Sequence, residues 1–271
     1  MTKKYGLYVC TYYLWMALFV VLPLLLLVYQ SFFDTSGQFS LVNYQTYFSS
    51  PAYLKMTLNS FIYALAVTFF TLVLAYPFAY FLSLLKHKNL VLLLVILPTW
   101  INLLLKAYAF IGLFSQEGTV NHVLGFLGIA PQQLLFTRMA FILVLVYIEL
   151  PFMILPLFQS IDKIPNALTE AARDLGASPL QSFWKVTVPL SLSGIRSGVQ
   201  AVFIPSLSMF MITRLIGGNR VITLGTAVEE HYLVTRNWGM GSTIGVVLMG
   251  MMFLVMALLR DRKGGKKDEK I

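Results

Sequence analysis

The 271 residues contain a single cysteine, Cys10, and it lies inside an apolar run, so no intrachain disulfide can form. Charge is also scarce. Asp, Glu, Lys and Arg make up 11% of the chain, less than half of the roughly one quarter usual in a soluble domain. Carboxylates are the rarer sign, 11 acidic against 20 basic residues, for a net charge of +9. The three histidines, His87, His122 and His231, stand in no metal-ligand spacing such as HExxH, and no Walker A phosphate loop occurs. These absences argue against a disulfide-stapled scaffold, a disordered chain, a zinc hydrolase and nucleotide hydrolysis by this chain itself. With 58% hydrophobic residues and a mean hydropathy of +0.77, too little charge remains to cover a water-facing surface. The sequence describes a polytopic membrane protein.

A bilayer core takes about 20 residues of helix. Stretches near that length with little or no charge predict six spans, at about 9–31, 57–85, 89–114, 139–160, 190–213 and 238–259. The predicted fold class is therefore all-α, with a membrane domain over 9–260 between a short N-terminal segment (1–8) and a basic tail (261–271). Lys3 and Lys4 ahead of the first span could mark a signal peptide. Its apolar stretch is too long for that, and no small-x-small site follows Tyr29, so it reads as a retained helix. Thirteen of the 20 Lys and Arg residues fall in the segments that share a side with the N-terminus. By the positive-inside rule both termini are predicted to be cytoplasmic, and the positive charge reports topology rather than a nucleic-acid partner.

The inner segment 161–189 is far longer than a connector needs. Pro165 suits a first helical turn. Leu168, Ala171, Ala172 and Leu175 then share a face, with Glu170, Arg173 and Asp174 pointing elsewhere. Gly176 is placed to end that helix. Ser178-Pro179-Leu180-Gln181 reads as a capping box opening a second helix, through Phe183 and Trp184 to a break at Pro189. Two short amphipathic helices can dock onto a protein or lie on lipid headgroups, and the residues alone leave both readings open.

Glu170-Ala171-Ala172, three residues, Gly176, nine residues and Val186-Thr187-Val188-Pro189 resemble the EAA loop of ATP-binding-cassette importer permeases, with valines where Ile and Leu are usual. That resemblance implies a coupling helix seated in a groove of a cytoplasmic ATPase. It gives contact roles to Glu170, Ala171, Ala172, Arg173 and Asp174, and a turn to Gly176. Tyr76-Pro77-Phe78-Ala79-Tyr80-Phe81-Leu82, Leu97-Pro98-Thr99-Trp100-Ile101-Asn102, Leu150-Pro151-Phe152-Met153 and Leu215-Ile216-Gly217-Gly218 look like the B-type permease subunit of spermidine/putrescine importers. Arg236-Asn237-Trp238 also fits, with Asn where an Asp is familiar. The implied partners are a second permease, an ATPase dimer that binds ATP and Mg, an extracytoplasmic polyamine-binding protein and the lipid of a bacterial inner membrane. No cofactor is expected in this chain.

A polycation needs carboxylates, hydroxyls and aromatic faces along its route. Glu149, flanked by Pro151 and Pro156, is a candidate because an intramembrane carboxylate seeks a cavity or a partner. A structural pair with Lys106 is the competing reading. Trp100, Asn102 and Tyr108 are candidate lining residues by the resemblance, against helix packing or interfacial anchoring. Glu229 and Glu230 read first as an ordinary solvated pair, and otherwise as a contact for binding protein or substrate. Arg214 stands where such permeases can carry an acidic residue. A permease for another small solute, such as a sulfonate, iron complex or molybdate, is the nearest alternative. An intramembrane hydrolase is more distant, since Ser191-Leu192-Ser193-Gly194 lacks a leading Gly and a convincing His on a later helix.

Overall fold

A computed structural model describes residues 2–259. The tail expected at 261–271 lies outside them. Among the described residues the chain is helical, apart from one isolated bridge between Phe33 and Phe39. A long N-terminal rod comprises α1 (Thr2–Met16), a π-turn (Ala17–Val21) and α2 (Leu22–Ser31). Short α3 (Val42–Ser49) leads into α4 (Pro51–Ser83), α5 (Lys88–Ile96), α6 (Leu103–Phe114) and α7 (Thr119–Phe126). Next come α8 (Arg138–Ile161), α9 (Asn166–Asp174), α10 (Pro179–Ser182), α11 (Val188–Leu190) and α12 (Leu192–Ser208). The chain then reaches α13 (Leu224–Glu229) and α14 (Trp238–Leu259).

Among the described residues, four helical stretches are long and apolar enough to cross a membrane: Val9–Ser31, Pro51–Ser83, Arg138–Ile161 and Trp238–Leu259. The predicted 89–114 span is instead bent. Lys88–Trp100 and Leu103–Phe126 meet at 90°. The cause is local: Pro98 sits in a 3-10 turn (Leu97–Trp100), Ile101 is extended, and Asn102 starts a new helix by accepting the Leu104 N–H at 2.8 Å. The predicted 190–213 span also differs. α12 has 17 residues, about 26 Å at 1.5 Å per residue, and ends where Met209 turns extended. Counting the bent pair as one span gives five among the described residues, so the helices by length and composition do not establish the predicted six.

α4, α8 and α12 pack together as the centre of the fold. Val67, Ala75 and Ala79 of α4, Val144, Leu145, Met153 and Leu157 of α8, and Val202 of α12 are buried there. A second cluster joins Tyr47, Ala64, Phe203, Leu207 and Leu224 to Met240 and Ile244 of α14. Glycines set the closest approaches. A Cβ on Gly194 would lie 2.4 Å from Ser160 Cβ, and one on Gly198 would lie 2.5 Å from Met153 Sδ. Small residues admit such contacts between membrane helices, where no water drives association. Hydroxyls inside the bundle bond backward along their own helices, Thr68 to Ala64 O and Thr71 to Val67 O, both at 2.7 Å. Outward faces are apolar, with Leu25, Phe69, Phe81, Leu94, Phe253 and Leu258 all exposed. Patches of that extent suit lipid or another subunit rather than water.

Candidate functional site

The 161–189 segment hangs at the bundle end where α4 finishes and α8 stops. Lys88 Nζ donates to Asp162 Oδ1 at 2.5 Å, tying its start to α5. α9 carries Glu170, Ala171, Ala172, Arg173 and Asp174. Pro165 is the N-cap of α9 rather than a residue of its first turn, held extended at ψ 132°. Its missing N–H still costs nothing there. At the other end Gly176 has φ +87°. The Gly176 N–H donates to Arg173 O at 2.8 Å and the Ala177 N–H to Ala172 O at 3.0 Å. This pair of bonds is a Schellman closure, which the left-handed glycine permits. Ser178 and Gln181 then form the predicted capping box: the Gln181 N–H donates to Ser178 Oγ at 3.2 Å, and the Ser178 N–H to Gln181 Oε1 at 3.0 Å.

The second helix does not break at Pro189. It runs through a π-turn (Phe183–Thr187) into α11, where Pro189 occupies a first-turn position. The break falls at Ser191, with φ −93° and ψ 8°. Pro is harmless early in a helical segment, so it starts the next turn instead of ending the last. Phe183 wedges edge-on against Tyr76 (5.5 Å) and Tyr80 (5.0 Å) of α4, and Tyr76 shares a 2.6 Å hydrogen bond with Ser191. The exit of the segment is thus fastened to α4. Its tip is not covered: Leu168, Leu180 and Trp184 are exposed, and Leu175 is 90% exposed. α9 packs against α10 and the following π-turn, leaving much of its apolar face open.

The interior candidates separate into two groups. Glu149, midway along α8, is 3% exposed. It lies one helical turn before Met153, on the stripe that meets Gly198 of α12. Trp100, in contrast, is 78% exposed, and Tyr108 and Asn102 are exposed too. Asn102 has a structural task as the cap of α6. Trp100 and Tyr108 therefore face away from the bundle, while Glu149 is enclosed by it. Lys106 is half-buried and lines a cavity of about 200 Å³ with Phe78, Thr99, Tyr147 and Pro151. No ion pair joins Lys106 to Glu149 among the described residues. A larger cavity of about 450 Å³ opens beside α9, lined by Gln159, Ser160, Lys163, Leu168, Ser193 and Ser197.

At the opposite end, the connection from α12 to α14 folds back on the bundle. A π-turn (Thr213–Gly217) and a short 3-10 turn (Gly218–Arg220) precede α13, whose buried Leu224 N–H donates to Ser60 Oγ of α4 at 2.7 Å. Tyr53 bonds His231 Nε2 at 2.9 Å. Burial holds the His231 imidazole below its ordinary pKa, with Glu230 opposing that shift. Burial likewise raises the Tyr47 phenol above its usual range.

Glu229 and Glu230 do not behave as a solvated pair. Glu230 is exposed, but the Glu229 side chain is only 14% exposed and meets Arg214 Nη1 at 3.4 Å. The sequence held one signal for this, two charges of opposite sign in one loop, but fifteen residues separate them and no helical spacing links them.

No protein-family model matches the chain. Individual proteins do. The chain is 40% identical over 254 residues to the spermidine/putrescine transport system permease protein PotB of Escherichia coli, covering 89% of this chain and 92% of that one. It is 37% identical over 252 residues to the PotB of Haemophilus influenzae, covering 89% and 88%. Among solved structures it resembles a chain of a bacterial alginate ABC transporter crystallised with an alginate pentasaccharide-bound periplasmic protein. The TM-score is 0.79 at 17% identity, covering 94% of this chain and 92% of that one. That likeness speaks for the fold alone.

Proposed function

This chain belongs to the PotB family of spermidine/putrescine transport permeases, and from that premise we propose that it passes polyamines through the membrane as one half of an ATP-driven importer. It is a multi-pass membrane protein and a transport subunit rather than an enzyme. Residues 161–189 form its coupling loop, and both termini are cytoplasmic. The partners are a second permease, a cytoplasmic ATPase dimer that binds ATP and Mg, and an extracytoplasmic polyamine-binding protein.

One observation carries the coupling role: the segment is tied to α5 at its start by Lys88–Asp162 and to α4 at its exit by Phe183, and α9 ends in a Schellman closure, yet the apolar face of α9 is open. A helix lying on lipid has no need of such rigid closure, whereas a helix that transmits force does. Glu170, Arg173 and Asp174 supply polar contacts, and Ala171 and Ala172 allow close approach.

The test is reconstitution of the complete importer in vesicles. Spermidine or putrescine, presented on the binding protein, should stimulate ATP hydrolysis and enter the vesicles. Molybdate or a sulfonate in their place should do neither, and stimulation by those solutes alone would overturn the polyamine reading.

Glu149 belongs to the substrate path in this proposal, because a carboxylate buried midway along a spanning helix is costly, and Lys106, though it feels the charge of Glu149, makes no ion pair with it. Glu149→Gln in an assembled importer should lower polyamine uptake about tenfold or more, the worth of a charge-assisted bond. Unchanged uptake would leave Glu149 a structural group.

A further inference from the structure

The ion pair at the α12–α14 connection is incompletely made. Arg214 approaches Glu229 through one nitrogen, at 3.4 Å to Oε1, whereas a guanidinium at its best grips both carboxylate oxygens at about 2.7–2.9 Å. The second oxygen, Oε2, is buried and has no hydrogen-bond partner. A buried carboxylate oxygen left unpartnered is costly, and proteins seldom retain one without a use. The two residues are also unequally held. The Arg214 side chain is 53% exposed, whereas that of Glu229 is 14% exposed.

Glu229 is positioned from both sides. It lies one turn beyond Gly225 on the same face of α13. Gly225 sits so close to the end of α12 that a Cβ there would fall 2.6 Å from Ser208 O. α13 is fixed at its start by the Thr223–Thr226 capping box and by the bond from the Leu224 N–H to Ser60. The start of α13 is therefore held against the end of α12 by backbone contacts, and the Glu229 carboxylate one turn on meets a single Arg214 nitrogen at 3.4 Å.

We infer that Glu229 is a binding site for a primary ammonium of the transported polyamine, and that Arg214 is a resident stand-in which the substrate displaces. The polyamine itself rests on the functional reading above. An alkylammonium is compact and carries three donors, so it can serve Oε1 and Oε2 together, which the Arg214 geometry does not. Displaced Arg214 swings to solvent, so no buried charge is left unpaired. When substrate moves on, Arg214 returns and discourages its re-entry.

The experiment uses the complete importer with its binding protein, and compares Glu229→Gln, Glu229→Asp and Arg214→Gln. Spermidine and putrescine uptake are measured at saturating loaded binding protein, together with ATP hydrolysed per polyamine imported. Glu229→Gln should cut uptake about tenfold or more while ATP hydrolysis continues, so that ATP used per polyamine rises. Glu229→Asp should recover most of the uptake, and Arg214→Gln should import at least as fast as the wild type.

A merely structural ion pair predicts that Arg214→Gln fails in parallel with Glu229→Gln, and that result would overturn the inference. So would Glu229→Gln importing at the wild-type rate and stoichiometry. Should Glu229→Gln fail to assemble, the Asp variant and Arg214→Gln decide the matter by the same two readouts. Wild-type importer that takes up neither polyamine overturns the functional reading, whereas wild-type uptake with an indifferent Glu229→Gln overturns this site alone.

Discussion

Gly176→Val should abolish most ATP-coupled uptake while the permease still assembles. At φ +87° this residue occupies the left-handed region, and no atom lies within 4 Å of a Cβ built on it. The penalty is therefore backbone strain and not collision. A β-branched residue there is a severe outlier, and holding a non-glycine residue in such a region costs about 1–3 kcal/mol. The chain relieves that strain by opening the closure, which gives up the bonds from the Gly176 and Ala177 N–H groups to Arg173 and Ala172. Those carbonyls end the stretch that carries Glu170 to Asp174, so α9 loses its fixed exit. A shift of about 2 kcal/mol away from the docking geometry leaves only a few per cent of molecules competent. Uptake should fall about tenfold or more, and stimulation of the ATPase by loaded binding protein should fall with it. Gly176→Asn is the control, since asparagine tolerates the left-handed region, and it should retain most activity. Equal activity of the Val variant and wild type would remove Gly176 from the coupling mechanism.

Gly239→Val should act earlier, by preventing the folded permease from forming. A Cβ at Gly239 would lie 2.0 Å from the carbonyl oxygen of Phe33 and 2.7 Å from Asn43 Nδ2. Neither neighbour can yield easily. Phe33 O is backbone, and Asn43 is held in place by donating to it at 2.8 Å and to Ser31 O at 3.3 Å. Thr243, one turn along α14, donates to Ser31 O at 3.2 Å, so the whole α2–α3–α14 seam closes around this glycine. Overpacking of a tight interior costs about 1–3 kcal/mol, and orphaning the buried Asn43 amide adds a comparable amount. Thermal unfolding of the purified complex in detergent should move down by several degrees, or the complex should fail to be recovered at all. Gly250→Ala is the matched control, with open space around it. An unchanged melting profile for Gly239→Val would contradict the packing described for this seam.

Much of this architecture was readable in the residues because it depends on local chemistry. Stretches of the required length with little or no charge mark α4, α8 and α14, and Gly176 with Ser178 and Gln181 marks the ends of the two loop helices. These signals involve neighbours within a few residues. The failures share the opposite property. Pro189 is a helix breaker in isolation, yet its effect depended on whether a new helical segment began beneath it. The 90° bend between Lys88–Trp100 and Leu103–Phe126 required Pro98, extended Ile101 and the Asn102 cap to act together, and hydropathy averages over all three. Trp100 and Tyr108 lie on faces that point out of this bundle, and the face a side chain presents is set by helix rotation within the bundle, which the sequence does not show. Glu229 is hidden from a sequence reading for a related reason. Its burial comes from the approach of α13 to the end of α12, across a connection whose path the sequence does not reveal.

The wedge of Phe183 between Tyr76 and Tyr80 makes α4 a lever arm. From Tyr76 to Tyr53 the helix spans 23 residues, about 35 Å at 1.5 Å per residue. A tilt of about 5° around the Phe183 end sweeps Tyr53 sideways by about 3 Å on that length, comparable with the 2.9 Å hydrogen bond joining it to His231. In the coupling role proposed above, a small rocking of the loop would therefore strain the Tyr53–His231 bond at the far mouth.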